Sequence, residues 1–411
     1  MLRPCAALCL ALAASLPAFA QSSEQDAREM ADSINAFAID LYRALPEQKR
    51  NRFFSPYSIS VALGMTRAGA AGATAKEMDQ VLHFPQSLAQ RQAALVAQLR
   101  PSELREVEYT REGRQERQVL AYQLEVANRL WGQQGTTFGA DFLSLLKERY
   151  RAPLERIDFR EGAAARKRIN DWVAEQTHER IKDIVAPPMP TADTRLALAN
   201  AIYFKASWKE PFQERATRKA PFFELGGGER EVDTMRRTDH FGYAEDAAVQ
   251  VVELPYRGNE TSMVLIVPKQ RAGLPAVEKA LTNDRLKGWL RGIRHPKVEL
   301  HLPKFRFTQP LDLAEILKRM GMPSAFSAKT ADFSPMCREE PLFIGAVVHK
   351  AFVAVDEKGT EAAAATVVMM MAGSAPMPET PQLVRADRPF LFLIRHRKTG
   401  CVLFMGRVLT P

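Results

Sequence analysis

Cysteine is scarce in this sequence: 411 residues contain four, at positions 5, 9, 337 and 401. The first two fall in an N-terminal segment with the marks of a removable leader. One pair remains, and one pair cannot make a disulfide framework. Cys337 and Cys401 could pair in an oxidising compartment, and two buried free thiols are the preferred reading. Histidine is also rare, with seven residues, and they show no metal-ligand spacing. His178-Glu179 lacks the second histidine that a zinc helix requires. There is no G-x-S-x-G nucleophile elbow and no G-x-x-x-x-G-K-[ST] phosphate cradle. Gly226-Gly227-Gly228 is followed by charges rather than by a helix, so it reads as a tight turn. No catalytic residue, metal or cofactor is expected.

Long hydrophobic runs are missing too. Arg3, the apolar stretch Pro4 to Leu16 and Ala18-Phe19-Ala20 form a secretory signal over residues 1–20, with cleavage before Gln21. That stretch is too short to span a bilayer, and nothing later approaches roughly eighteen uncharged apolar residues. The mature chain is expected to be secreted or periplasmic, without a membrane partner. No repeat recurs at roughly 20–50 residues, and no Pro/Gly/Ser-rich linker divides residues 21–411, so a single domain is expected there. What is present is globular material: 46% hydrophobic and 26% charged content allows a large core and gives no sign of disorder. The net charge is +9, with basic clusters at 111–118, 166–168 and 285–297. Acidic residues interleave with the first cluster and no aromatic platform accompanies any of them, which argues against nucleic acid. Solvated faces are the expected reading, with a polyanion contact as the weaker one.

Apolar spacing predicts helices over 26–45 and 59–67, the second opened by Ser55-Pro56 as cap and first turn. Two short helices are predicted over 75–84 and 86–99, and another over 169–185, where Ile169, Trp172, Val173, Ile181 and Ile184 share a face. Residues 101–118, charged and poor in apolar side chains, read as an exposed excursion. Strands are predicted over 124–130, 196–204, 251–254, 262–267, 298–302, 347–355, 390–396 and 402–409. Gly258 and Asn259 supply the turn between 254 and 262, and Asn259-Glu260-Thr261 is a glycosylation sequon on its tip. Helices come first and strands dominate afterwards, the order of an α+β fold.

Several segments, in sequence order, resemble the serpin family of serine protease inhibitors. They are Asn51-Arg-Phe-Phe-Ser-Pro-Tyr-Ser-Ile-Ser, Ile169-Asn-Asp-Trp-Val, and Leu198-Ala-Asn-Ala-Ile-Tyr-Phe-Lys-Ala-Ser-Trp-Lys-Glu-Pro-Phe. Val348-His-Lys-Ala-Phe-Val with Glu357-Lys-Gly-Thr-Glu-Ala-Ala-Ala-Ala-Thr follows, and Pro389-Phe-Leu-Phe-Leu-Ile with Phe404-Met-Gly-Arg closes the chain. The similarity covers nearly all of the mature chain and is to a secreted, bacterial-type inhibitory serpin. It implies three β-sheets, eight or nine helices and an exposed reactive-centre loop at about 357–388. It also implies a monomer that traps serine proteases by inserting this loop into its central sheet. Ser55, Ser58, Asn200 and His349 match the family's shutter, where the sheet parts. Trp208, Lys304 and Glu357 match its breach, where a Glu357–Lys304 ion pair would pin the hinge.

The loop can be tested as physics. A segment that becomes a central strand must alternate its side chains between two faces. With Thr360 inward, the inward set is Thr360, Ala362, Ala364, Thr366 and Val368, all small or apolar. Glu361, Ala363 and Ala365 face outward, so the single charge falls on the solvent side. Gly359 lets the chain bend as it leaves the preceding strand. No proline stands between Glu357 and Ala375, whereas Pro376, Pro378 and Pro381 crowd the far side; the proline-free half is the half able to join a sheet. Counting from the hinge glutamate as in the family puts the scissile bond at Gly373-Ser374, with Met371-Ala372 and Ala372-Gly373 as alternatives. These small or unbranched residues suit elastase-, subtilisin- or chymotrypsin-like proteases, and Met370 and Met371 leave papain-like cysteine proteases open. The run of alanine and methionine is also a helix former, so a non-inhibitory carrier or binding serpin is the competing reading.

Overall fold

The computed structural model describes residues 18–47, 49–110, 113–361 and 379–411. Helix α1 (Ala18–Ala44) buries Met30, Ile34, Phe37 and Leu41 along one stripe. Strand β1 (Arg52–Phe54) leads into α2 (Pro56–Arg67), where the Ser55 hydroxyl accepts from the Ser58 N–H and Pro56 occupies the first turn. A proline costs nothing there, because that N–H has no helical partner. Helices α3 (Gly72–Val81) and α4 (Leu88–Gln98) follow, slightly offset from the predicted spans.

Residues 101–118 depart from the expected irregular excursion. They form most of an antiparallel hairpin, β2 (Glu103–Thr110) and β3 (Gly113–Leu120), which pairs with no other sheet. Its charge conceals the strand pattern and also supports it: Glu106 stands opposite Arg117 in the register and pairs with it at 2.7 Å. Next come β4 (Gln123–Gln133), α5 (Ala140–Arg149), β5 (Glu155–Ile157) and α6 (Gly162–Gln176). The predicted helix over 169–185 thus stops at Gln176. The Thr177 hydroxyl donates back to the Val173 carbonyl and accepts from the Ile181 N–H, and left-handed φ angles at His178, Glu179 and Asp183 end the helical path. Ile181 and Ile184 are still buried, because the extended segment lies across the central sheet.

Strand β6 (Leu196–Ser207) is buried on both faces, as its nearly continuous apolar run suggests. Strands β7 (Arg218–Phe223) and β8 (Glu229–His240) are joined through the three glycines, with Gly227 at φ +88°. Strands β9 (Gly242–Glu245), β10 (Val249–Pro255) and β11 (Thr261–Pro268) follow, the last two turning through Gly258 and Asn259 as expected. Helices α7 (Leu274–Lys279) and α8 (Asn283–Arg291) precede β12 (Lys297–Pro303), β13 (Phe305–Asp312) and α9 (Ala314–Met320). The chain closes with β14 (Val347–Val355), β15 (Gly359–Thr360), β16 (Gln382–Arg385), β17 (Phe390–His396) and β18 (Val402–Val408).

Beside the β2-β3 hairpin, the described strands make three main sheets, the number the serpin resemblance implies, in an α+β fold. The central one runs β13-β14-β15-β6-β4-β5, a second runs β1-β18-β17-β11-β10-β9, and a third runs β16-β12-β8-β7. The central sheet separates two apolar layers. Its inner face joins the large core with α1, α2 and the second sheet, and its outer face packs Ala127, Trp131, Ala199, Ala201 and Phe352 against Ile169 and Val173 of α6. Cys337 and Cys401 are free and buried. No described helix is long and apolar enough to cross a membrane.

Candidate functional site in the central sheet

The central sheet contains a parting line. Strands β14 and β6 run parallel and pair from Val347–Leu198 to Ala351–Ile202, with His349 opposite Asn200. Above Ala351 they separate, and β15 occupies the top of the gap: Thr360 pairs with Val355 on one side and with Ala206 on the other. The first two residues after Lys358 therefore already stand as a strand between β14 and β6.

His349, Asn200, Ser58 and Ser55 meet at the lower part of this line, all at most 1% exposed. The Ser55 N–H donates to His349 Nε2 at 3.1 Å, so the ring proton sits on Nδ1 and is given to Asn200 Oδ1. The Asn200 amide donates to the Ser58 carbonyl at 3.0 Å, and the Ser55 hydroxyl donates to the Leu403 carbonyl at 2.6 Å. Each polar group has a partner, which is what makes such a network affordable in an apolar interior. Burial pushes the His349 pKa down to about 3, so the imidazole is neutral, in the state this pattern requires. Asn128 on β4 also belongs here, bonded to the Asn200 amide and standing opposite Asn200 in the register. It was not foreseen, although it is the polar member of an inward series with Leu124, Val126 and Leu130.

The breach residues converge at the top of the line. Lys304 Nζ lies 2.8 Å from Glu357, as expected, and the Thr217 hydroxyl donates to the same carboxylate at 2.8 Å. Desolvation alone would raise the Glu357 pKa, but the two hydrogen bonds and the lysine charge outweigh it and hold it below the usual carboxylate range. Trp208 Nε1 donates to the Asp356 carbonyl at 2.9 Å, and its ring stacks on Tyr256 with centroids 4.6 Å apart. Tyr256 in turn shares a 2.6 Å hydrogen bond with the Thr360 hydroxyl. Thr217, just before β7, and Tyr256, just after β10, were missed because neither is unusual in its local sequence.

Thr360 faces inward as predicted and is 2% exposed. Glu361 points the other way, also as predicted, but that face is not open to solvent. The segment following α6 covers it, the Glu361 side chain is only 10% exposed, and Arg180 from that segment pairs with it. Ala362, Ala363, Ala364, Ala365, Thr366, Met371, Ala372, Gly373 and Ser374 lie outside the described residues.

Residues 32–411 match the family model for serpins, serine protease inhibitors. Human Serpin B8 is 40% identical over 93% of this chain and 100% of its own length. The leukocyte elastase inhibitor of Sus scrofa is 38% identical over 91% of this chain and 97% of its own. Among solved structures, the thermophilic serpin tengpin in its native state superposes with a TM-score of 0.81 at 27% identity, over 93% of this chain and 94% of that one. The chain belongs to the serpin family. Membership places its activity with protease inhibitors and not with catalysts.

Proposed function

We propose that this chain is a suicide inhibitor of serine endopeptidases that prefer small or unbranched residues. In this reading the protease serine attacks the carbonyl carbon of Gly373, the amine of Ser374 leaves, and an acyl-enzyme forms. Residues after Glu357 then enter the central sheet between β14 and β6 and carry the protease with them. About sixteen residues at roughly 3.3 Å each would move it about 50 Å. The observation that carries the reading is the hinge itself: Gly359 and Thr360 already occupy the gap, and Thr360 is buried against Tyr256. Small inward side chains over 360–368 fit the same slot. The elastase inhibitors among the relatives support a target with a shallow primary pocket. The leader-like residues 1–20 support export, to the medium or a periplasm.

The test is incubation of the purified chain with elastase, subtilisin and chymotrypsin, followed by denaturing gels. A band near the summed masses is the expected result. Clean cleavage of the loop by all three proteases would sink the proposal and favour a carrier or binding role, and a stable adduct with papain alone would redirect it to cysteine proteases. Thr360→Arg should turn inhibitor into substrate, because a guanidinium would have to enter the layer that Tyr256 closes.

A further inference from the structure

Glu361 is where the described chain leaves the sheet. Its N–H still donates to the Ala354 carbonyl at 3.0 Å, so the residue is in strand register. Its φ is +53°, however, in the left-handed region, so the extended strand backbone ends at this residue. For a residue with a side chain this conformation is strained, and returning to extended geometry releases the strain. Relaxation at Glu361 and further entry of the loop are thus the same movement.

Arg180 opposes that movement. Its Nε pairs with Glu361 Oε1, while Oε2 is buried with no hydrogen-bond partner among the described residues, where the carboxylate depends on Arg180 for direct neutralisation. Lys205 and Arg306 contribute only at longer range. Arg180 is itself fixed. Its segment crosses the parting line and is fastened on both sides: His178 pairs with Glu125 of β4 at 3.0 Å, and Lys350 of β14 donates to the Lys182 carbonyl. Left-handed φ angles at His178, Glu179 and Asp183 hold it in this path.

We propose that Arg180 is a positioning residue that sets the rate of loop entry, by gripping Glu361 at the turn that must straighten. The inference rests on the inhibitory reading above and adds to it a residue outside the hinge, breach and shutter. Strain at Glu361 drives entry, and the grip of a segment that bridges the gap restrains it.

Two measurements separate this from the inhibitory reading. In one, thermolysin cleaves the loop without being trapped, and entry is followed by the fluorescence of Trp208, which hydrogen-bonds the Asp356 carbonyl beside the hinge. In the other, the stoichiometry of inhibition is measured with elastase. Arg180→Ala and Glu361→Gln should each speed entry by about fivefold, the scale of one partly buried ion pair, and the double variant should be no faster than either single one. Arg180→Lys should restore most of the restraint, and Lys182→Ala, which keeps the carbonyl that Lys350 uses, should change little. Unchanged rates in both single variants, or effects that multiply in the double variant, overturn the proposal. A wild-type chain that enters after thermolysin cleavage yet traps no protease defeats the inhibitory reading and leaves the Arg180 comparison intact. A cleaved wild-type chain that never enters overturns both.

Discussion

Glu357 is almost buried and stays ionised because Lys304 and Thr217 both reach it. Glu357→Lys would set two ammonium groups against each other and leave Thr217 without its acceptor. About 2 kcal/mol should be lost at the breach, less than the roughly 3–5 kcal/mol of a fully buried pair because Lys304 is partly exposed and solvent screens it. The variant should form ladders on native gels after mild heating, at a temperature where wild type stays monomeric. His349 gives a second prediction. Its native pKa of about 3 lies below the ordinary 6.5, so between those values the unfolded chain binds a proton that the native one refuses. Its stabilising contribution is present above the ordinary value and falls with acidification through that window, with a slope approaching ~1.4 kcal/mol per pH unit. Thermal midpoints measured across this range should fall more steeply for wild type than for His349→Gln; parallel curves would refute the assignment.

At the scale of elements, the central strands and the hinge could be read in the sequence because their patterns are local. Leu196 to Phe204 is apolar except for Asn200, and alternation after Glu357 needs no distant partner to be seen. Asn128 and Arg180 could not be read that way. Asn128 matters because register places it opposite Asn200, and Arg180 because it reaches Glu361 from a segment far away in the chain. Helix α6 was overextended for a related reason: Ile181 and Ile184 keep helical spacing, yet they are buried by an extended segment lying on the sheet. Close approach between strands is likewise invisible locally. At Gly406 of β18 a Cβ would stand 2.5 Å from the Arg52 carbonyl oxygen and 2.8 Å from the Phe392 ring. The backbone of β1 cannot yield, so Gly406→Ala should lose about 2 kcal/mol, read as a lowered denaturation midpoint.

For the whole molecule, the central sheet is incomplete among the described residues. Above Ala351, β14 and β6 have no mutual ladder, and among the described residues only the two of β15 stand between them as a strand. In the proposed mechanism a chain cut in its loop supplies the missing strand, which would gain backbone hydrogen bonds and bury Ala362, Ala364 and Val368. Calorimetry should find the cleaved chain melting tens of degrees above the intact one; equal midpoints would mean that the sheet does not accept its own loop.

The register of β15 also acts as a ruler for that missing strand. Thr360 lies between Val355 and Ala206, and each further residue steps down one position on both sides. Six steps would bring Thr366 level with His349 and Asn200, the one polar rung among the inward-facing pairs of β14 and β6. The incoming hydroxyl would arrive where the arriving strand must separate that pair, and it can both donate and accept. The sequence thus carries its replacement part at the spot where the native bond has to be given up. Thr366→Val, which keeps the shape and removes the hydroxyl, should leave the intact chain's melting unchanged and lower that of the cleaved one.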